Sequence, residues 1–188
     1  MPRRPRLIEP GGIYHVTSHG VDTIRIFRED RDRILFLNLL APAARRFGWD
    51  VFLVCLMDTH IHLLLQVDEP TLSVGMERVK GDYARAYNRI YGRRGHLFEG
   101  RFGSRQIASE AHLLNTIRYI AMNPVEARMC RDPEEYAWCS YGATVGARRR
   151  WPWIPDAPLL AQFAPTRARA VEVLRDFVDE RRALDPAA

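Results

Sequence analysis

Val51-Phe52-Leu53-Val54-Cys55-Leu56-Met57-Asp58-Thr59-His60-Ile61-His62-Leu63-Leu64-Leu65-Gln66-Val67 is the stretch on which the fold turns. Residues 49–57 are apolar on both alternating faces, which predicts a central strand. Asp58-Thr59 is a short turn, and residues 60–67 return as the hairpin partner. Strand side chains alternate, so Ile61, Leu63, Leu65 and Val67 point to the core. His60, His62, Leu64 and Gln66 share the opposite face.

Elements of the same clarity flank this hairpin. Residues 13–18 read as a strand entered through Gly11-Gly12. Residues 30–47 read as a helix with Ile34, Leu37, Ala41 and Ala44 at helical spacing, and Pro42 is expected to kink it or end its regular part early. Residues 71–91 form a second helix with Met76, Val79, Tyr83, Ala86 and Ile90 on one stripe. A short strand follows at 101–107. Ser109 then caps a helix expected to run to Asn123, where Pro124 stops it. The order β-α-β-β-α-β-α predicts an α+β protein with a ferredoxin-like βαββαβ core. Its antiparallel sheet carries helices on one face and leaves the other free for a substrate. From about Ala147 the chain becomes rich in Arg, Trp and Pro, then ends in an amphipathic helix bearing Val171, Leu174, Phe177 and Val178. The expected division is a main domain over 1–146 and a C-terminal appendage over 147–188.

Composition excludes several classes. The 188 residues are 47% hydrophobic and 27% charged, as in a soluble globular protein and unlike a disordered or collagenous chain. The longest unbroken apolar run, residues 51–57, is too short to cross a bilayer. Met1-Pro2-Arg3-Arg4-Pro5-Arg6 has positive charge with no apolar segment behind it, so no signal peptide is expected. Cys55, Cys130 and Cys139 form no CxxC pair and read as reduced thiols, which points to the cytoplasm.

The net charge is +5, and all but one (Lys80) of the 28 basic residues are arginine, whose planar fork suits phosphates. The excess is local. Between Met76 and Arg105 lie Arg78, Lys80, Arg85, Arg89, Arg93, Arg94, Arg101 and Arg105, against only Glu77, Asp82 and Glu99. Tyr83, Tyr87, Tyr91, Phe98 and Phe102 are interleaved with them. Cationic grooves with stacking aromatics hold single-stranded nucleic acid, although a solvated helix face with its tyrosines in the core has the same composition. Arg148-Arg149-Arg150 forms a second basic cluster.

Two imidazoles at i and i+2 on a strand can reach one divalent ion together, or can be two hydrogen-bonded surface histidines. The helix over 109–123 bears on that choice. Leu113, Leu114, Ile117, Ile120 and Ala121 cluster on one side, and His112, Asn115, Tyr119 and Asn123 on the other. Tyr119 therefore faces either solvent or a second functional surface. Asn123, one turn on, could bring its amide oxygen to the same ion. Two imidazoles and an amide leave coordination positions open for phosphate and water and tolerate Mg²⁺ or Mn²⁺. His15 and His19 lie on the first strand and read as structural or DNA-facing.

Several stretches resemble, in order, the REP-associated tyrosine transposases of the HUH single-stranded DNA transposase family. They are Tyr14-His15-Val16-Thr17, Leu56-Met57 with His60-Ile61-His62-Leu63-Leu64-Leu65, and Gly95-His96-Leu97-Phe98-Glu99-Gly100-Arg101-Phe102. Arg118-Tyr119-Ile120-Ala121-Met122-Asn123-Pro124-Val125-Glu126-Ala127 and Asp132-Pro133 to Trp138-Cys139-Ser140-Tyr141 complete the set. Asp58-Thr59 stands where the family usually has Pro-Asn. The resemblance implies His60 and His62 as metal ligands, Asn123 as third ligand and Tyr119 as nucleophile, within a catalytic domain over 1–146. The implied enzyme is a metal-dependent endonuclease and strand transferase acting on single-stranded hairpin DNA through a 5′-phosphotyrosine. Arg78, Arg85, Arg89, Arg93, Arg94, Arg101 and Arg105 are the candidate DNA contacts. A monomer or homodimer, cytoplasmic and nucleoid-associated, is expected. The competing expectation is a descendant that grips hairpin DNA without cutting it.

Overall fold

A computed structural model describes residues 7–149 and 151–184, with side chains described to residue 180. The basic N-terminal hexapeptide and Arg150 lie outside the described residues. Strands β1 (Ile13–His19), β2 (Trp49–Leu56), β3 (His60–Val67) and β4 (Gly103–Gln106) form one antiparallel sheet in the order β2-β3-β1-β4. Helices α1 (Asp30–Phe47) and α2 (Leu72–Ile90) make the two crossovers. This is the ferredoxin-like arrangement expected from the element order.

The first core lies between the sheet and α1 and α2. Tyr14 and Val16 of β1 and Ile61, Leu63, Leu65 and Val67 of β3 point into it. They meet Phe36 and Leu40 of α1 and Met76, Val79 and Tyr83 of α2. A reciprocal capping box between Glu29 and Asp32 starts α1, and left-handed Gly48 ends it. Buried Asp32 also accepts the Tyr91 hydroxyl, joining the start of α1 to the end of α2.

The structure corrects several readings. β2 is an edge strand, although both its faces are buried. Its outer edge is closed by the 138–140 segment, where Leu56 N–H donates to Trp138 O and Ser140 N–H to Val54 O. Helix α1 passes through exposed Pro42 unbroken to Phe47, and Ile34 is exposed while Phe36 and Leu40 are buried. On α2 the inward stripe runs through Tyr87, which is buried, and leaves Ile90 exposed. β4 is shorter than residues 101–107. Helix α3 (Glu110–Glu126) runs through Pro124 to Glu126, because Ala127 N–H still donates to Asn123 O. One missing N–H in a last turn costs a single bond, and buried Val125 holds that turn against the sheet side.

The second sheet face is not bare. Leu53, Cys55, Met57 and Leu64 form a second core with Leu113, Ile117, Ile120 and Ala121 of α3. Leu159 and Leu160 of α5 (Ala157–Leu160) and Val171, Leu174 and Val178 of α6 (Arg167–Leu184) complete it. Only the β1 side of this face stays open. A short helix α4 (Tyr141–Thr144) joins the two parts.

Gly75 marks where α2 crosses the β2 entrance. A Cβ there would run into the Trp49 indole and lie 2.9 Å from Phe47 Cδ2. Helix propensity alone favours Gly75→Ala by roughly 1 kcal/mol. Overpacking is expected to outweigh it, so the variant should lose about 1–3 kcal/mol in a urea melt. A gain in stability would show that the Trp49 contact is soft.

Candidate active site

β3 presents His60 and His62 on the open face, as alternation requires. Their ring centroids are 4.9 Å apart. The β1–β3 register sets His19 opposite His60 and Thr17 opposite His62. His19 stacks on His60 at 5.0 Å, and His15 stacks on His62 at 5.2 Å. α3 crosses the same face, held at its start by Ser109, whose hydroxyl accepts the His112 N–H. Its outward stripe brings Tyr119 to 5.4 Å from His62 and 5.9 Å from His15, ring to ring. Asn123 Oδ1 lies 3.2 Å from His60 Nε2. Four strand histidines, a phenol and an amide thus share one surface.

Hydrogen bonds orient the rings. His60 Nδ1 pairs with Thr59 Oγ1 at 3.1 Å, which turns Nε2 toward Asn123. His62 Nδ1 pairs with His15 Nε2 at 3.0 Å. Its other nitrogen, Nε2, is buried with no hydrogen-bond partner among the described residues. An uncompensated buried polar atom costs about 1–3 kcal/mol, and a metal ion relieves such an atom. Burial, then the neighbouring His60, His15 and His19, pushes the His62 pKa down to about 2. Burial, then His112 and Arg105, pushes His15 down to about 4. His60 is lowered too, chiefly by burial, against the opposing effect of Asn123. Neutral imidazole is the form that ligates. Among the described residues no three His, Cys, Asp or Glu side chains converge as an ion cage. The donor set that fits an ion is His60, His62 and Asn123, with an amide in place of a third imidazole or a carboxylate.

The turn before His60 is anchored. Buried Arg33 donates to Leu56 O at 3.3 Å and pairs with Asp58, which also pairs with Arg25. Gly20 N–H donates to Thr59 O at 2.8 Å. Asp58-Thr59 therefore forms a braced turn without the usual Pro-Asn. Arg118, adjacent to Tyr119, lays its guanidinium 3.6 Å from the centre of the Phe177 ring and bonds Glu180 at 3.3 Å. The C-terminal helix thereby holds α3.

Of the seven tyrosines, only Tyr119 is exposed, at 38%, and it adjoins the imidazoles. Tyr83, Tyr87 and Tyr136 donate to the carbonyls of Ile26, Arg25 and Leu56, and Tyr91 donates to Asp32. Tyr14 accepts from Glu9 N–H, and Tyr141 is buried. His15 is the site residue that sequence reasoning left outside the ligand set. Alternation placed it on the open face, yet its pairing with His62 depends on register. His112, expected on the Tyr119 stripe, accepts the Ala108 N–H and serves the start of α3.

The seven arginines do not form one patch. Arg105 pairs with His15 across β1 and β4 and shares the open face. Arg78, Arg85 and Arg89 lie exposed on α2, behind the sheet, with Arg78 and Arg85 both bonded to Asp82. Arg94 and Arg101 are exposed in the loop leading to β4, and Arg93 is half-buried.

Residues 12–123 match the IS200-like transposase family, more than half of the chain, and the chain belongs to that family. The resemblance read from the motifs is borne out. A REP-associated tyrosine transposase, solved bound to a REP hairpin, shares the fold with a TM-score of 0.60 at 16% identity. The match covers 81% of this chain and 89% of that one. A Deinococcus radiodurans R1 protein described as a transposase matches at 15% identity and a TM-score of 0.43, over 62% of this chain and 93% of its own. No curated protein matches the sequence. Among the described residues no helix is long and apolar enough to cross a membrane.

Proposed function

We propose that this chain cuts and rejoins single-stranded DNA at a hairpin, with Tyr119 as the nucleophile. The observation that carries the reading is the exposed Tyr119 phenol beside His60, His62 and Asn123. Family membership and the fold shared with a hairpin-bound transposase support it.

The Tyr119 oxygen attacks the scissile phosphorus in line, and the exposed position of the ring lets the phenolic proton leave to solvent. The bond to the 3′ oxygen breaks, giving a 5′-phosphotyrosine and a 3′-hydroxyl that takes up a proton. The phosphodiester energy is kept in the link, so a 3′-hydroxyl can attack it and rejoin strands without ATP. A phenol has an ordinary pKa near ~10 and is a weak nucleophile at neutral pH. His60, His62 and Asn123 would hold a divalent ion, Mg²⁺ or Mn²⁺, which when bound would supply Lewis-acid stabilisation of the charge that develops in the transition state. Thr59 and His15 hold the two imidazoles in orientation. The deciding experiment incubates the protein with hairpin DNA and a divalent ion and looks for a covalent protein–DNA band on a denaturing gel. Binding without that band would favour a protein that only grips DNA, and metal-dependent cutting without it would favour a water-using phosphodiesterase.

Backbone contacts set affinity and register. Arg85 and Arg89 on α2 are assigned to that role, and Arg85→Ala/Arg89→Ala should lower the salt-dependence slope of single-strand binding by roughly 0.7 per lost contact. An unchanged slope in a folded variant moves the DNA path elsewhere, to Arg148 and Arg149 for example.

A further inference from the structure

The candidate active site uses none of the three thiols. Two of them are free, buried and antiparallel partners: Cys55 of β2, and Cys139 of the strip that closes the sheet edge. The surrounding hydrogen bonds fix the kind of pair. Leu56 N–H donates to Trp138 O and Ser140 N–H to Val54 O, each at 2.9 Å, so the bonds flank the two cysteines. A flanked pair of this kind holds its Cα atoms about 4.5 Å apart, with the side chains close together. A disulfide spans Cα separations of roughly 4.4–6.8 Å. Both side chains enter the second core. Burial, then the neighbouring Cys139, pushes the Cys55 thiol well above its ordinary pKa.

The strip is sewn down at further points. Val54 N–H donates to Ser140 Oγ at 3.0 Å, and the Tyr136 hydroxyl to Leu56 O at 2.8 Å. Cys139 rides on the strip, so local opening of the sheet edge exposes it before Cys55, which stays in β2. The third thiol, Cys130, is half-buried and has no strand partner among the described residues.

We propose that Cys55 and Cys139 are a redox site, a dithiol that a small-molecule disulfide converts into a crosslink locking the 138–140 strip to β2. The Cys139 sulfur, as thiolate, attacks one sulfur of the small disulfide and releases the other half as a thiol. The Cys55 sulfur then gives up its proton, attacks the Cys139 sulfur and releases the second thiol. Two protein thiols are oxidised, one small disulfide is reduced to two thiols, and the two protons pass to the leaving sulfurs. The crosslink closes the chain between residues 55 and 139, and long closed loops gain most. The lock abuts the candidate active site, because the β2–β3 register sets Cys55 opposite His62. None of this chemistry depends on what that site does to DNA.

The test incubates the folded full chain with excess oxidised glutathione, then measures intact mass, free thiols after unfolding, a peptide map and thermal melting. Two of the three thiols should disappear, with a mass lower by two hydrogens and a peptide pair joining Cys55 to Cys139. The melting temperature should rise by about 5–15 °C. Dithiothreitol should reverse every change. Cys130→Ser should behave as the wild type, and Cys139→Ala should gain neither crosslink nor melting shift. If Cys139→Ala fails to fold, the wild-type peptide map decides. A glutathione adduct that stays on either cysteine, a crosslink through Cys130, or three free thiols after incubation overturns the assignment. A Cys55–Cys139 crosslink that leaves melting unchanged overturns the lock.

Discussion

Tyr119→Phe is expected to leave a folded protein that binds hairpin DNA and an ion but neither cuts DNA nor forms a covalent adduct. The substitution removes one oxygen from a side chain that is 38% exposed, so stability should stay within about 0.5 kcal/mol. Cleavage should fall toward background, on the order of the 10⁶-fold lost when an enzyme's nucleophile is deleted. A denaturing gel of the trapped complex and peptide mapping of the adduct measure both outcomes. Six other hydroxyls offer no ready substitute, since each is buried or tied to a structural partner. An adduct mapped to any of those tyrosines, or normal cutting by the phenylalanine variant, would refute the mechanism.

His62→Ala is expected to abolish ion-dependent cleavage while hairpin affinity stays within a few-fold, because phosphate contacts dominate binding. His62 Nε2 is buried with no hydrogen-bond partner among the described residues, and its ring lies 4.9 Å from that of His60. Its loss should weaken Mn²⁺ binding, read by calorimetry, by more than the roughly 10–100-fold that changes outside the ligand set cost. His15→Ala supplies the contrast. It removes the partner of His62 Nδ1 and should fall within that 10–100-fold range. Equal effects of the two substitutions would place His15 among the ligands. Normal cutting by His62→Ala with ion present would mean that the imidazoles do not hold it.

Much of this site was legible along the chain. The alternation of residues 60–67 put both histidines on the face away from the core. The 3.6-residue period of α3 put Tyr119 and Asn123 on one stripe, because both periods are properties of local backbone geometry. The basic segment from Met76 to Arg105 was equally plain. Its division into a face behind the sheet and a face beside His15 was not, since a linear count of charges carries no direction.

Local patterns also misled where tertiary contacts decide. Two-sided burial of β2 reads as a central strand, yet an edge strand looks the same when a later segment, residues 138–140 here, closes its edge. Pro42 and Pro124 read as breaks, yet each forfeits one backbone bond that the helix around it tolerates.

By itself the sequence determined the order of the elements, the inward and outward faces of β3 and α3, and the residue types able to ligate an ion or attack a phosphate. The tertiary structure alone decided the register that lets His15 support His62, and that α3 is pinned by Arg118 against Phe177 over the second sheet face. The physical reason is that periodicity follows from bonds between near neighbours in the chain. Strand order, register and helix placement come from contacts between residues tens of positions apart, such as the 47 that separate His15 from His62.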